Sequence, residues 1–287
     1  MHEGDIAIGL DLGTSGVKAV AMRGGRVIAR GRGDYGTRRP EPGAAEQDPS
    51  EWMSAIDGAL AELGGTADPS GWGAIGLSAM LPTLVTVDAA LRPVGPAITW
   101  EDGRAQREAA ELVAHVGERE LYRRTGQRVD AHYLLPMSSR RGRPDLFTAG
   151  AKDWIHAELT GELLTDPSTA AGFGAYDLTT GAWDERIAAV AGSPRLPRVA
   201  PSDTTTPLRA QTAARWGCRS IPVVLGAADS VLGAYGLGAL GPGAVACIAG
   251  TSTALLAASA EPRPDPRGRY LVTPALGGYA HEMDLMT

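Results

Sequence analysis

Lysine is almost missing from this chain: of its 27 basic residues only Lys18 and Lys152 are lysine, and the arginines are scattered. Against 33 acidic residues the net charge is −6. There is no basic stripe, which excludes the electrostatic footprint of a nucleic-acid binder. Cysteine is nearly as scarce. Cys218 and Cys247 stand too far apart for metal-ligand spacing, and both lie in or beside apolar runs. Two buried free thiols in a reducing compartment are therefore expected. No run of about 18 apolar residues occurs, and MHEGDIAIGLDLG has no basic segment ahead of a long apolar one. A soluble, cytoplasmic protein with no membrane partner is the expectation. The five histidines show no metal-like pairing, no GxSxG stands near a candidate triad, and no GxxxxGK[ST] occurs. Hydrolase and P-loop readings fall on those absences.

What is present is ample apolar content, 44% of 287 residues, enough for a packed core and more than one domain. Ile6 to Leu10, Val17 to Met22 and Arg26 to Arg30 read as three consecutive strands, joined by turns at GTSG and RGG. DPSEWMSAIDGALAELGG then reads as a helix. Asp48 caps it, Pro49 suits its first position, and Glu51 completes a capping box. Trp52, Ile56, Leu60 and Leu63 share one face, and Gly64 with Gly65 stops it. WGAIGLSA and PTLVTVD are strands; GRAQREAAELVAHVG and AKDWIHAELTG are helices, the second ending at Gly161. SIPVVLGAADSVLGAYGLGAL reads as a buried strand, an acidic turn and a small-residue helix, with a boundary near residue 238 and a new strand pair beyond it. Strands followed by alternating helices and strands argue for a mixed α/β fold.

Four places carry candidate chemistry. Asp11 ends the first strand, before a turn of Gly13, Thr14 and Ser15, and the same tripeptide returns as Gly250, Thr251 and Ser252 between two further apolar runs. Such turns can aim amides and hydroxyls at phosphate oxygens, and an acid beside them can hold the water shell of Mg²⁺. Ordinary hairpin turns are the alternative. Asp229, between a strand and a helix, is either a helix cap or a general base for phosphoryl transfer; the local pattern favours the cap. Trp100, Glu101, Asp102 and Arg104 cluster in PAITWEDGRA. They suit a polyhydroxylated ligand as well as they suit a surface ion pair above a half-buried Trp.

Taken together these segments resemble the FGGY family of carbohydrate kinases. The resemblance runs in order through GLDLGTSGVKAV, GAAEQDPSEW, SAM, PAITWEDGRA, ELYRRTG, KDWIHAELTGELLTDPSTAAGFGAYDL, GAADSVLGAYGLG and IAGTSTALL, from about residue 5 to the last residues. It implies an actin-like ATPase (ribonuclease H-like) α/β fold, a mixed sheet flanked by helices. Residues 1–237 would be a complete sugar-binding lobe, and 238–287 only the start of a nucleotide-binding lobe. It also implies ATP and Mg²⁺ as cofactors and a small-molecule sugar as partner, with a homodimer left open.

By that resemblance Asp11 organises Mg²⁺–ATP, Gly13, Thr14 and Ser15 face the phosphates, and Gly250, Thr251 and Ser252 face them from the other side. Asp229 becomes the catalytic base. Met80, Leu81, Trp100 and Asp102 line the sugar site, with Arg104 in support. The implied activity is phosphorylation of a sugar hydroxyl by a xylulokinase-like ketose kinase. The alternatives are a gluconate, other sugar-acid or polyol kinase of the family, a sugar-binding module without turnover, or an actin-like ATPase switch.

The chain departs from the family in three ways. Leu81 stands where xylulokinases carry a sugar-contacting His. The segment from SSRRGRPDLF to AGAKDW is shorter than usual. The family continues for about 150 to 200 residues more, the size of one further domain. The apolar YLVTPALGG and MDLM would then lack packing partners unless they lie on the first lobe or another chain covers them.

Overall fold

The computed structural model describes residues 5–239, 241–249 and 253–285. The chain opens with the three strands its alternation predicts: β1 (Ile6–Leu12), β2 (Gly16–Arg23) and β3 (Arg26–Asp34). They form an antiparallel meander in which Asp11 faces Lys18 and Gly16 faces Asp34. Ile6, Ile8, Leu10 and Leu12 all turn inward along β1, the period-2 pattern of a strand with one buried face. The short β4 (Glu46–Gln47) leads into α1 (Pro49–Gly64). Asp48 caps that helix by accepting from Ser50 N at 2.9 Å, with Pro49 in the first turn. Glu51 does not complete a capping box. Arg38 pairs with Glu46 in an isolated bridge and so lies alongside, and the Glu51 carboxylate accepts from Arg38 Nη2 instead. The predicted face of Trp52, Ile56, Leu60 and Leu63 is buried.

β5 (Trp72–Ala79) then runs parallel to β1. β6 (Leu84–Val87), β7 (Ala97–Ile98) and, after α2 (Gln106–Val116), α3 (Glu118–Thr125) and α4 (Leu134–Arg141), β8 (Phe147–Gly150) join β4 in a small sheet ordered β4-β7-β6-β8. A second core built on Leu84, Leu112, Leu121, Leu134, Leu135 and Phe173 lies among these helices. α5 (Ala151–Thr160) ends on Gly161 in the left-handed region, as its sequence predicts. Short elements follow: β9 (Leu164–Thr165), α6 (Pro167–Ala171), the hairpin β10 (Tyr176–Asp177) and β11 (Ala182–Trp183), α7 (Glu185–Val190) and β12 (Arg198–Val199), which pairs with β9. β13 (Thr205–Pro207), α8 (Ala210–Trp216), β14 (Pro222–Ala228) and α9 (Asp229–Gly236) complete this part. β14 lies beside β5 and parallel to it, giving the six-stranded order β13-β14-β5-β1-β2-β3.

The last described strands form a separate antiparallel sheet: β15 (Val245–Ala249), β16 (Thr253–Ser259), β17 (Leu271–Ala275) and β18 (Gly278–Leu285), ordered β15-β16-β18-β17. The apolar YLVTP segment finds its partner on the earlier part of the chain. Val272 is fully buried, its N–H donates to Gly126 O at 2.9 Å, and its carbonyl accepts from Gln127 Nε2 at 3.0 Å. Tyr122 extends the seam, donating to Tyr270 O at 2.6 Å and accepting from Asp265 N at 3.0 Å. The expectation of two buried thiols needs correction. Cys218 is half-buried, and Cys247 is exposed, because β15 is an edge strand whose alternation turns Ala246 inward and Cys247 out. Among the described residues no helix is long and apolar enough to cross a membrane.

Candidate active site

Three adjacent strands, β14, β5 and β1, run parallel and stop at the same edge, where Ala227 and Ala228 register with Ser78 and Ala79, and these with Asp11 and Leu12. Neighbouring strands lie about 4.8 Å apart, so β1 and β14 are separated by roughly 10 Å. In an open α/β sheet, the crevice beyond such carboxyl ends is where ligands bind. Asp11 ends one strand and Asp229 follows the other.

The turn after β1 is held from one side. Gly13 O accepts from the Tyr35 hydroxyl at 2.5 Å and Thr14 O accepts from Gln47 Nε2 at 2.8 Å. In a trans peptide the N–H points opposite to its carbonyl. The amides of Thr14 and Ser15 are therefore turned away from Tyr35 and Gln47, as a phosphate cradle requires. Gln47 is itself buried and fixed, since its side chain also donates to Thr37 Oγ1 at 2.8 Å and accepts from Trp52 Nε1 at 2.9 Å. Asp11 is half-buried and accepts from Ser78 Oγ at 3.0 Å. Burial and then the Asp11 charge push the Tyr35 phenol far above its ordinary range, so it stays a donor. The sequence reading missed Tyr35 and Gln47; only the placement of Gln47 directly before the α1 cap hinted at it.

β14 reaches this edge through an irregularity. Its register against β5 shifts between Val224 and Ala227, and Gly226 in that gap has φ +74°. A Cβ at Gly226 would lie 1.7 Å from Leu77 O. No side chain fits there, so glycine permits both the backbone angle and the close approach. Asp229 emerges exposed as the first residue of α9. The cap position belongs to Ala228, which has no side-chain cap bond, and a carboxylate oxygen of Asp229 accepts from Ser230 N at 2.8 Å. The helix-cap reading of Asp229 is thereby corrected.

Trp100 reaches across to the turn, its Nε1 donating to Thr14 Oγ1 at 3.1 Å. Asp102 is 2% exposed and fully engaged with Arg104, whose Nη2 lies 2.7 Å away, and with Ala45 N at 2.9 Å. Burial would raise the Asp102 carboxyl, but the bonds from Arg104 and Ala45 outweigh it and hold it below the usual range. Arg104 also reaches Glu41 at 2.8 Å and Glu46 at 2.7 Å, so the pair clamps the Trp100 loop onto β4. Met80 is buried, its N–H bonded to Leu12 O at 2.8 Å. Leu81 is half-buried and packs against the buried cluster of Ala227, Ala228 and Val231 where β14 passes into α9. The structure therefore brings Asp11, Gly13, Thr14, Ser15, Met80, Leu81, Trp100 and Asp229 to one edge, with Asp102 and Arg104 behind. Gly250, Thr251 and Ser252 lie outside the described residues; on either side of them Ala249 pairs with Thr253.

The sequence matches the FGGY family of carbohydrate kinases, N-terminal domain, over residues 6–236. The chain belongs to the FGGY family. It is 31% identical to the xylulose kinase of Escherichia coli over 263 residues, which is 88% of this chain and 54% of that protein. It is 29% identical to the gluconokinase of Bacillus licheniformis over 279 residues, 91% of this chain and 53% of that one. It thus spans about half the length of these FGGY relatives. A crystal structure described as a xyloylose kinase from Brucella ovis superposes with a TM-score of 0.92 at 31% identity, covering 98% of this chain and 61% of that one. The fold is that of the FGGY sugar kinases, the actin-like ATPase fold, with helices flanking the sheets.

Among the described residues no three His, Cys, Asp or Glu side chains converge to hold a metal. Mg²⁺ usually keeps several waters and takes one or two carboxylates plus substrate phosphates. Asp11 beside an amide-lined turn fits that mode rather than an all-protein cage.

Proposed function

We propose that this chain takes part in ATP-dependent phosphorylation of a sugar hydroxyl, with a ketose of the xylulose kind as acceptor. One observation carries the reading: Asp11, Asp229 and a turn tied to Trp100 meet at the carboxyl edge of three neighbouring parallel strands. Residues 1–237 serve as the sugar-binding lobe and 238–287 begin the nucleotide-binding lobe.

Asp229 takes the proton of the attacking hydroxyl. The Trp100 ring forms a flat wall for the sugar, and Met80 and Leu81 close the side nearest β5. Leu81 neither donates nor accepts, so this wall meets an apolar face of the sugar. Asp102 and Arg104 hold the Trp100 loop. Gly13, the Thr14 and Ser15 amides, and their counterparts at Gly250, Thr251 and Ser252 bind phosphate oxygens, while Asp11 holds the water shell of Mg²⁺. When bound, Mg²⁺ neutralises charge between the phosphates. Dependence on ATP places the site of action in the cytoplasm.

The test is a melting panel with D-xylulose, D-ribulose, pentitols, D-gluconate and glycerol, followed by coupled ADP release. Binding to the native state raises Tm by mass action. We expect a ketopentose to raise Tm and to drive ADP formation. Stabilisation without ADP would assign sugar binding alone, and no response to any sugar would refute the reading.

A further inference from the structure

Behind Asp229 the interior holds an unusual amount of charge. Lys152, Asp153 and Asp166 are 2%, 0% and 0% exposed, and Lys152 Nζ lies 3.1 Å from an oxygen of each acid. Well-packed apolar residues often serve a fold as well as such a cluster does, so fold stability alone does not account for it. Burial pushes the Lys152 ammonium down, but the charges of Asp166 and Asp153 outweigh it and keep the group cationic. Asp153 acts locally, its Oδ2 accepting from Gly150 N at 3.1 Å in the first turn of α5.

Asp166 does more than cap α6. Its Oδ2 accepts from Ser168 N at 2.9 Å and from Ser168 Oγ at 2.5 Å, and its Oδ1 accepts from Thr169 Oγ1 at 2.6 Å. A hydroxyl has one proton and two lone pairs. With that proton given to Asp166, Ser168 Oγ can only accept elsewhere, and Ala228 N donates to it at 2.9 Å. Ser202 forms a second arm: its Oγ donates to Asp166 Oδ2 at 3.4 Å, and its carbonyl accepts from Gly226 N at 2.9 Å. Two amides of β14, Gly226 inside the irregularity and Ala228 just after it, therefore rest on residues that are themselves bonded to one buried carboxylate. Leu225 N, between Val224 and Gly226, donates to Thr204 O instead.

We propose that Asp166, braced by Lys152, is a positioning residue that sets the direction of Asp229 through Ser168 and Ser202. The functional part of this rests on Asp229 being the base. It makes the geometry of an exposed acid depend on an ion pair with no access to solvent or substrate.

The experiment compares amide hydrogen exchange in the unliganded full chain with that of Ser168→Ala and of a matched control, Thr169→Val, which removes a hydroxyl from the same carboxylate without touching Ala228. Exchange over residues 226–230 should accelerate on the order of tenfold in Ser168→Ala, the effect of one lost buried hydrogen bond, and stay unchanged in Thr169→Val. Equal acceleration in both variants, or none in Ser168→Ala, would overturn the proposal. If Ser168→Ala does not fold, Ser168→Cys keeps the volume, lacks a strong acceptor and is read the same way. In ADP release with D-xylulose or D-gluconate, Ser168→Ala should lower kcat about tenfold at constant KM for ATP and add nothing to Asp229→Asn. Additive losses overturn the positioning role. A wild-type chain that releases no ADP with either sugar refutes the kinase reading, and exchange then decides the positioning by itself.

Discussion

The six-stranded sheet lies on a continuous core that includes Ile8, Leu10, Trp52, Ile56, Ile75, Leu77 and Val223, whereas the second sheet, formed by β15 to β18, has Ala234, Ala246, Leu256 and Ala280 beneath it. Burying a large apolar side chain contributes about 1.5–3 kcal/mol; a core that is mostly alanine contributes far less. Around the second sheet Tyr235, Leu237, Val245 and Met283 remain exposed. The first region is ordered by its own interior, and the second borrows order through the seam at Tyr122, Gly126 and Gln127. Rigidity is thus concentrated where the proposed proton acceptor must be aimed.

The strongest attack on this contrast is Gly226→Ala. A Cβ 1.7 Å from Leu77 O, at φ +74°, should cost about 4 kcal/mol or more and bring down the six-stranded sheet as a whole. Urea denaturation measures it; a loss below about 1 kcal/mol would mean the irregularity yields easily. Gly126→Ala strikes the seam, where an added Cβ would lie 2.6 Å from Val272 O at φ +69°. A loss of about 2 kcal/mol is expected. Hydrogen exchange should speed up over residues 253–285 and hold steady in β1 and β5; uniform acceleration would show that the two regions melt together.

Asp102→Asn should cost about 1–3 kcal/mol at neutral pH by weakening the clamp on Arg104. The pH dependence has a definite sign. The folded carboxyl lies below its ordinary range, so its contribution is fully present above about pH 4 and is lost as pH falls through the lowered folded value. Melting from pH 5 downward should therefore fall more steeply in the wild type than in Asp102→Asn; parallel curves would count against the clamp. Trp100→Phe removes the 3.1 Å bond to Thr14 and a little of the ring's packing on the main core. About 1 kcal/mol is expected, seen as a small drop in Tm with the second sheet unaffected.

Local pattern made much of this legible. The alternation of Ile6, Ile8 and Leu10, the Asp48–Pro49 start of α1 and the glycine stop at Gly161 are all short-range signals that the structure follows. Asp11 and Asp229 were readable because each ends an apolar run at a turn. Gln47, Tyr35 and Asp166 were not, since their importance comes from partners distant in sequence: Gln47 meets Thr14, Tyr35 meets Gly13, and Asp166 acts on Ala228 through Ser168. Glu51 failed as a capping residue for the same reason, because Arg38 competes for it across a bridge that no local pattern announces. Nor does any window of sequence reveal that β14 belongs beside β5.

That neighbour relation bears on how the protein is made. Residues leave the ribosome in order, at about 5–20 per second, and β5 is complete at Ala79, while its second partner begins only at Pro222. During the interval, on the order of ten seconds at those rates, one side of β5 offers bare amides and carbonyls, an invitation to foreign strands. The wait ends when β14 slots in, and the same event carries Asp229 to the edge. Nascent chains halted before residue 222 should therefore need chaperones, and the proposed acid arrives with the strand that ends the need.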